Sequence, residues 1–144
     1  MLIKQLSIFV ENKVGRLAEV TRILATAKID ISSFVLSDTT DFGVLRLIVN
    51  DTERAHKILK ENEFTVRLTD VVVVGISDDS GSLATVLEVL DKEAIEIEYM
   101  YAFLGRKIGE APAVFRFEDT NKAIQVLLNN NVKVLGNCDL GIIY

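Results

Sequence analysis

The residues with the most chemical potential lie in two matching stretches, Glu11-Asn12-Lys13-Val14-Gly15-Arg16-Leu17 and Ser77-Asp78-Asp79-Ser80-Gly81-Ser82-Leu83. Each follows an apolar run and leads into a helical pattern, so each reads as a strand-to-helix turn. Glycine at 15 and 81 lets the backbone turn sharply and lets another group approach closely. The first N–H groups of the following helix lack intrahelical acceptors and favour an anion, such as an amino acid's carboxylate. Asn12 and Asp78 carry oxygens that accept hydrogen bonds from a ligand's ammonium group. This is binding chemistry rather than bond-making. The same residues also have a purely structural reading, in which the glycines make the turn and Asn12 and Asp78 help to terminate it.

No catalytic constellation stands beside them. The one histidine, His56, sits among Arg54, Ala55, Lys57 and Ile58 on a helical pattern, and no Ser or Cys nucleophile can be matched to it. One His and one Cys without ligand spacing leave only carboxylates for a metal, and Ser77–Ser80 lacks the alternating oxygen ligands of a calcium loop. No catalytic residue, metal site or cofactor is therefore expected. Charge excludes a further class. With 16 basic against 21 acidic residues the net charge is −5, the only adjacent basic pair is Arg106-Lys107, and there is no tryptophan. A nucleic-acid partner, which needs clustered Lys and Arg and stacking aromatics, is not expected. No apolar run approaches the roughly 18 residues of a membrane span. The opening MLIKQLSIFVEN does not read as a secretory signal. Cys138 has no partner for an internal disulfide, which suits a cytoplasmic location.

The elements that must position the two turns follow from a duplication. Gly15, Leu17, Ala18 and Val20 recur as Gly81, Leu83, Ala84 and Val86 at an offset of 66, which continues through Leu24/Leu90, Ile29/Ile95 and Ile31/Ile97. Further on, DTERAHKILKEN falls on DTNKAIQVLLNN at an offset of 68, so two extra residues lie between, most simply in Leu104–Gly109. Within each copy, periodicity predicts strands over 3–10 and 71–77. It then predicts a helix through Leu17, Val20, Leu24 and Ala27 and its counterpart through Leu83, Val86, Leu87 and Leu90. Strands follow at 29–36 and 95–103, and at 44–49 and 113–117. Asp51-Thr52 and Asp119-Thr120 cap a second helix, and last strands fall near 64–68 and 132–135. Leu140–Tyr144 reads as an additional strand.

The order β-α-β-β-α-β, twice, gives an α+β fold. It consists of two ferredoxin-like units in tandem, 1–69 and 70–144, each an antiparallel sheet with helices on one face. Several functions use this architecture. A soft-metal carrier needs a Cys-x-x-Cys pair, whereas this chain has one cysteine. An RNA-recognition module needs aromatic and basic residues on its inner strands, where this chain has Gly43-Val44-Leu45-Arg46-Leu47. An acylphosphatase-like loop needs an arginine, and Arg16 has Ser82 as its counterpart.

The stretch VENKVGRLAEVTRILATAKIDISSF resembles the signature of the ACT domain, a small-molecule-sensing module of amino-acid metabolism. Asn12, Lys13, Gly15 and Leu17 match its loop and Ile29-Asp30-Ile31 its closing stretch, while Val14 stands for the usual proline and Lys28 for the usual glycine. In the second copy Asp78, Gly81 and Leu83 match, and Ser80 stands for the proline. The resemblance places the ligand loop on Asn12, Lys13, Val14, Gly15, Arg16 and Leu17, and on Asp78, Asp79, Ser80, Gly81, Ser82 and Leu83. Residues completing a site from a neighbouring domain fall on Asp30 and Glu96, with Ser32 and Ser33 bordering it. Both acidic residues favour a ligand's ammonium end, and two facing carboxylates need a cation or a proton. They also read as ordinary strand-start residues in solvent.

The expected protein is thus a stand-alone tandem module, not an enzyme. It binds a small effector, an amino acid, at domain interfaces and regulates an enzyme of amino-acid metabolism. The alternative is a structural assembly module with silent sites. Exposed strand edges lead us to expect a homodimer. The first loop is expected to bind more tightly than the more acidic second.

Overall fold

In the computed structural model, which describes residues 1–38, 41–104 and 109–142, the first strand is β1 (Ile3–Glu11). It leads through the first turn into helix α1 (Arg16–Thr26), and strands β2 (Ile31–Asp38) and β3 (Phe42–Val49) follow. Helix α2 (Thr52–Glu61) and strand β4 (Thr65–Gly75) complete the first copy. Its strands are ordered β2-β3-β1-β4. β1 and β3 are antiparallel, with Leu6 opposite Leu47 and Ile8 opposite Leu45, and β2 runs antiparallel along β3 with a bulge between Ile31 and Ser33.

The second copy begins within β4. It continues with α3 (Ser82–Lys92), β5 (Ile97–Ala102), β6 (Ala113–Phe117), α4 (Thr120–Asn129) and β7 (Lys133–Leu135). β4 lies between β7 and β6, and β5 follows β6, all antiparallel. The chain divides into two compact units, centred on Lys4–Thr69 and Asp70–Leu140.

Each unit has its own core, and the two are built from the same positions. In the first, Leu6, Ile8 and Val10 of β1 and Leu45, Leu47 and Val49 of β3 meet Val20 and Leu24 of α1 and Ala55 and Leu59 of α2. In the second, Val72, Val74 and Ile76 meet Ala113, Phe115 and Phe117, under Val86, Leu90, Ala123 and Leu127. Every one of these second-unit residues is the counterpart of a first-unit core residue at the offsets the sequence gives. Period-two apolar positions on the strands and period-3.6 positions on the helices put both sets on one interface.

Helix ends repeat as well. Asp51 and Asp119 accept the N–H of Arg54 (3.1 Å) and Lys122 (3.0 Å), the caps expected from Asp-Thr. All four long helices close with paired six-to-one and five-to-two hydrogen bonds. The Ile29 N–H reaches Leu24 O and the Lys28 N–H reaches Ala25 O, and the Ile95 and Ala94 N–H groups reach Leu90 O and Asp91 O. The left-handed residue of each closure is Lys28, Glu63, Ala94 or Asn131, with φ between +50° and +65°. Lys28, standing where the resemblance has glycine, thus keeps the glycine's conformation.

Two differences from the expected elements stand out. The strands foreseen near 64–68 and 71–77 are one strand, Thr65–Gly75, with no Gly or Pro before its last residue to break it. The strand foreseen over Leu140–Tyr144 is absent from its described part. Asn137–Leu140 is a short helix, α5, whose Asp139 accepts the Gly136 N–H at 2.8 Å, and Gly141 turns the chain at φ +68°. Residues 143–144 lie outside the described residues. So do 105–108, where the two extra residues of the second copy were placed; the register confines them between Ala102 and Glu110.

Candidate functional site

The two strand-to-helix turns have the same backbone. Gly15 sits at φ +91° and Gly81 at φ +90°, each just before its helix, and neither helix has a side-chain cap. A Cβ on either glycine would meet nothing within 4 Å, so the positive φ, not crowding, calls for glycine. The helical ladder starts with Glu19 N–H to Gly15 O (2.9 Å) and Thr85 N–H to Gly81 O (3.0 Å). The N–H groups of Leu17 and Ala18, and of Leu83 and Ala84, therefore precede the ladder beside an open backbone, an arrangement suited to an anion.

The turns are tied down by backbone contacts. Asn12 N–H donates to Asp41 O at 3.2 Å, and Asp78 N–H to Gly109 O at 3.1 Å. Side chains distinguish them electrostatically. In the first, Lys13 Nζ pairs with Glu11 at 2.8 Å, and this hydrogen bond with its charge holds the Glu11 carboxyl below its ordinary pKa. Arg16 donates to Glu19 at 2.7 Å and lies 4.5 Å over the ring of Phe64, while Val14 is fully exposed at the tip. The second turn has Asp78, Asp79, Ser80 and Ser82 and no cation. Its field is the less favourable one for a carboxylate.

Beside each turn lies an apolar groove. In the first unit a cleft of about 320 Å³ runs under Leu17 and Thr21, over Leu45 and Leu47 of β3, and is flanked by Phe34 and Leu36 of β2. Phe34 is 58% exposed and Leu36 46%, although both are large and apolar. The second unit repeats it with about 380 Å³ under Leu83, with Met100 and Ala102 in place of Phe34 and Leu36. Here Ser77, Asp78 and Asp79 join the lining, so the second groove is the more polar. A ligand whose carboxylate rests on the helix start has an apolar slot within reach for the rest of it.

Of the residues expected to form a site, the structure brings Leu17, Leu83, Asp78 and Asp79 to these grooves. Asn12, Lys13, Val14, Gly15 and Arg16, like Ser80, Gly81 and Ser82, lie in the turns but do not line them. Asp30 and Glu96 are exposed at the approaches to β2 and β5 and line neither; the backbone of Asp30 is held by Asn50 through bonds of 3.0 and 3.1 Å. Ser32 is half-buried and Ser33 fully buried. Phe34, Leu36, Met100 and Ala102 were not foreseen. Their signal was period-two spacing on strands already assigned, which does not say which apolar residues stay uncovered. His56 is half-buried on α2 and Cys138 exposed on α5. Among the described residues no group of three or more His, Cys, Asp and Glu is placed to hold a metal, and no helix is long and apolar enough to cross a membrane.

Comparison with known proteins bears on the family and the fold. A family model described as an ACT domain pair matches residues 1–143. A crystallised protein of Bacteroides thetaiotaomicron is 44% identical over 99% of this chain and 98% of its own, with a TM-score of 0.92. The ligand-free regulatory subunit of aspartate kinase from Thermus thermophilus matches 89% of this chain and 91% of its own at 13% identity, with a TM-score of 0.59. A regulatory domain of aspartate kinase from Porphyromonas gingivalis matches 90% and 93% at 14% identity, with a TM-score of 0.52. At those identities the last two share the fold alone. No curated protein matches.

Proposed function

The chain belongs to the ACT domain pair family, and from that premise we propose that it binds an amino acid as an effector and passes the signal to an enzyme of amino-acid metabolism. In this reading the effector's carboxylate lies on the N–H groups that open α1, its side chain enters the groove under Leu17, and Asn12 faces its ammonium. The observation that carries the reading is the left-handed glycine before an uncapped helix, beside an unfilled apolar groove, twice in one chain. The domains are 1–69 and 70–144, with Asp30 and Glu96, bordered by Ser32, completing sites from a neighbouring domain. Membership of the ACT domain pair family, together with turns whose free N–H groups suit binding, supports a regulatory role rather than an enzymatic one. A homodimer is supported by Phe34 and Leu36, exposed on β2, the end strand of its unit. The single cysteine suits work in the cytoplasm.

A thermal-shift screen of the full chain against the twenty amino acids tests the reading. It expects at least one to raise the melting temperature. If none does, the chain is an assembly module instead.

A further inference from the structure

A second kind of recess, of about 340 Å³, opens in the second unit and shares only Ile76 and Ser77 with the groove under Leu83. Its walls are the end of β4, the first turn of α3 and the start of β7. The recess arises from a difference between the two copies in this chain. Where the first unit has Phe9, Arg16, Glu19 and Phe64, the second has Gly75, Ser82, Thr85 and Val132. Four large side chains have become four small ones. In the first unit the space is taken by Arg16, stacked on Phe64 and bonded to Glu19. In the second it is open.

The recess is not merely emptied. Two charges stand in it that the first unit lacks: Lys133 at the position of Thr65, and Glu110 at the position of Phe42. Their side chains pair at 2.8 Å. Gly75 makes room for this, because a Cβ there would come within 3.2 Å of Lys133 Cδ. Val86 and Val132 supply an apolar floor, and the Thr85 hydroxyl, which donates to Gly81 O, keeps lone pairs free to accept. We infer that this recess binds a small zwitterion, its carboxylate on Lys133 and its ammonium on Glu110. A lone cation or anion would displace one member of the pair and leave it without its partner, whereas a zwitterion satisfies both. The pair is exposed enough to be opened at little cost, with Lys133 51% and Glu110 27% accessible at the side chain. The recess borrows Ser77 and Ser82 from the second turn but takes nothing from the first, so the inference is separate from the effector site proposed at the start of α1.

Calorimetry of the full chain with the twenty amino acids, β-alanine and γ-aminobutyrate tests it. At least one is expected to bind with an affinity that falls about tenfold or more in Lys133→Met and in Glu110→Gln. Lys133→Arg should keep most of that affinity, and Ser82→Arg, which restores the side chain that fills the first unit, should abolish it. Gly15→Asp should leave it unchanged. The inference is overturned if no probe binds, or if every probe that binds does so equally well in Lys133→Met and Glu110→Gln. A response lost in Gly15→Asp but kept in those two variants sinks this inference and leaves the turn reading standing.

Discussion

Replacing Gly15 by aspartate separates the role of the turn in folding from its role in binding. Gly15 sits at φ +91°, and a Cβ there meets nothing within 4 Å, so the cost to the fold is backbone strain alone. A left-handed non-glycine residue costs roughly 1–2 kcal/mol, with Asp at the low end because its short polar side chain tolerates that region. For a chain of this length about 1 kcal/mol lowers the melting temperature by roughly 2–4 °C. Binding should respond very differently, because the new carboxylate would stand where the effector's carboxylate meets the N–H groups of residues 17 and 18. A ligand at about 100 times its dissociation constant stabilises the native state by roughly 2.7 kcal/mol, which is on the order of 5–10 °C here. Differential scanning fluorimetry should show that rise in the wild type and none in Gly15→Asp. Gly15→Ala, with similar strain and no charge, should fall between them. A Gly15→Asp chain that melts cooperatively and keeps the full rise would refute the placement of the effector on this turn.

Other expectations follow from the same geometry. Asn12→Ala should weaken effector binding more than Asp78→Ala, because only the first turn carries Lys13 and Arg16; equal losses by calorimetry would contradict this. The wild type should give a dimer by light scattering and Phe34→Asp a monomer near 16 kDa, and an unchanged mass would remove β2 from the interface. Ala94→Gly should raise stability by up to about 1 kcal/mol in urea unfolding, since Ala94 holds a left-handed φ of +50°; a loss would mean that no strain is stored there. The Glu11 carboxyl has a lowered pKa in the folded chain, so its contribution is present above the ordinary value near 4.5 and is lost as pH falls through the depressed one. In Lys13→Met, the Glu11 titration followed by NMR should move back up, and an unmoved curve would assign the shift to another cause.

Much of this was legible in the sequence because the chain states its pattern twice. Gly15 and Gly81 marked both turns, Asp51 and Asp119 marked both caps, and the offsets of 66 and 68 carried the helix-facing core positions of one unit onto the other. Local glycine chemistry and period are sequence properties, so they could be read directly. The grooves were not legible. Phe34 and Leu45 come together only through the register of β2 on β3, Leu17 only through the packing of α1 over them, and nothing in a strand's composition says which apolar side chains remain uncovered. The helix closures also escaped notice, since Lys28, Glu63, Ala94 and Asn131 adopt a glycine-like backbone without being glycine. The recess beside Lys133 needed the Ser77–Glu110 bridge to bring a distant carboxylate to the end of β4. The sequence had shown only that Ser82 stands where the other copy has Arg16.

The central claim is that an amino acid's carboxylate rests on the N–H groups that open α1. Its most direct test is a ¹⁵N NMR titration of the full chain with whichever amino acid gives the largest thermal shift. The account predicts that the amide signals of Gly15, Arg16, Leu17 and Ala18 move first and furthest, with smaller changes at Ile31, Phe34 and Leu36 along the groove. Saturable binding that leaves those four amides unmoved would contradict it.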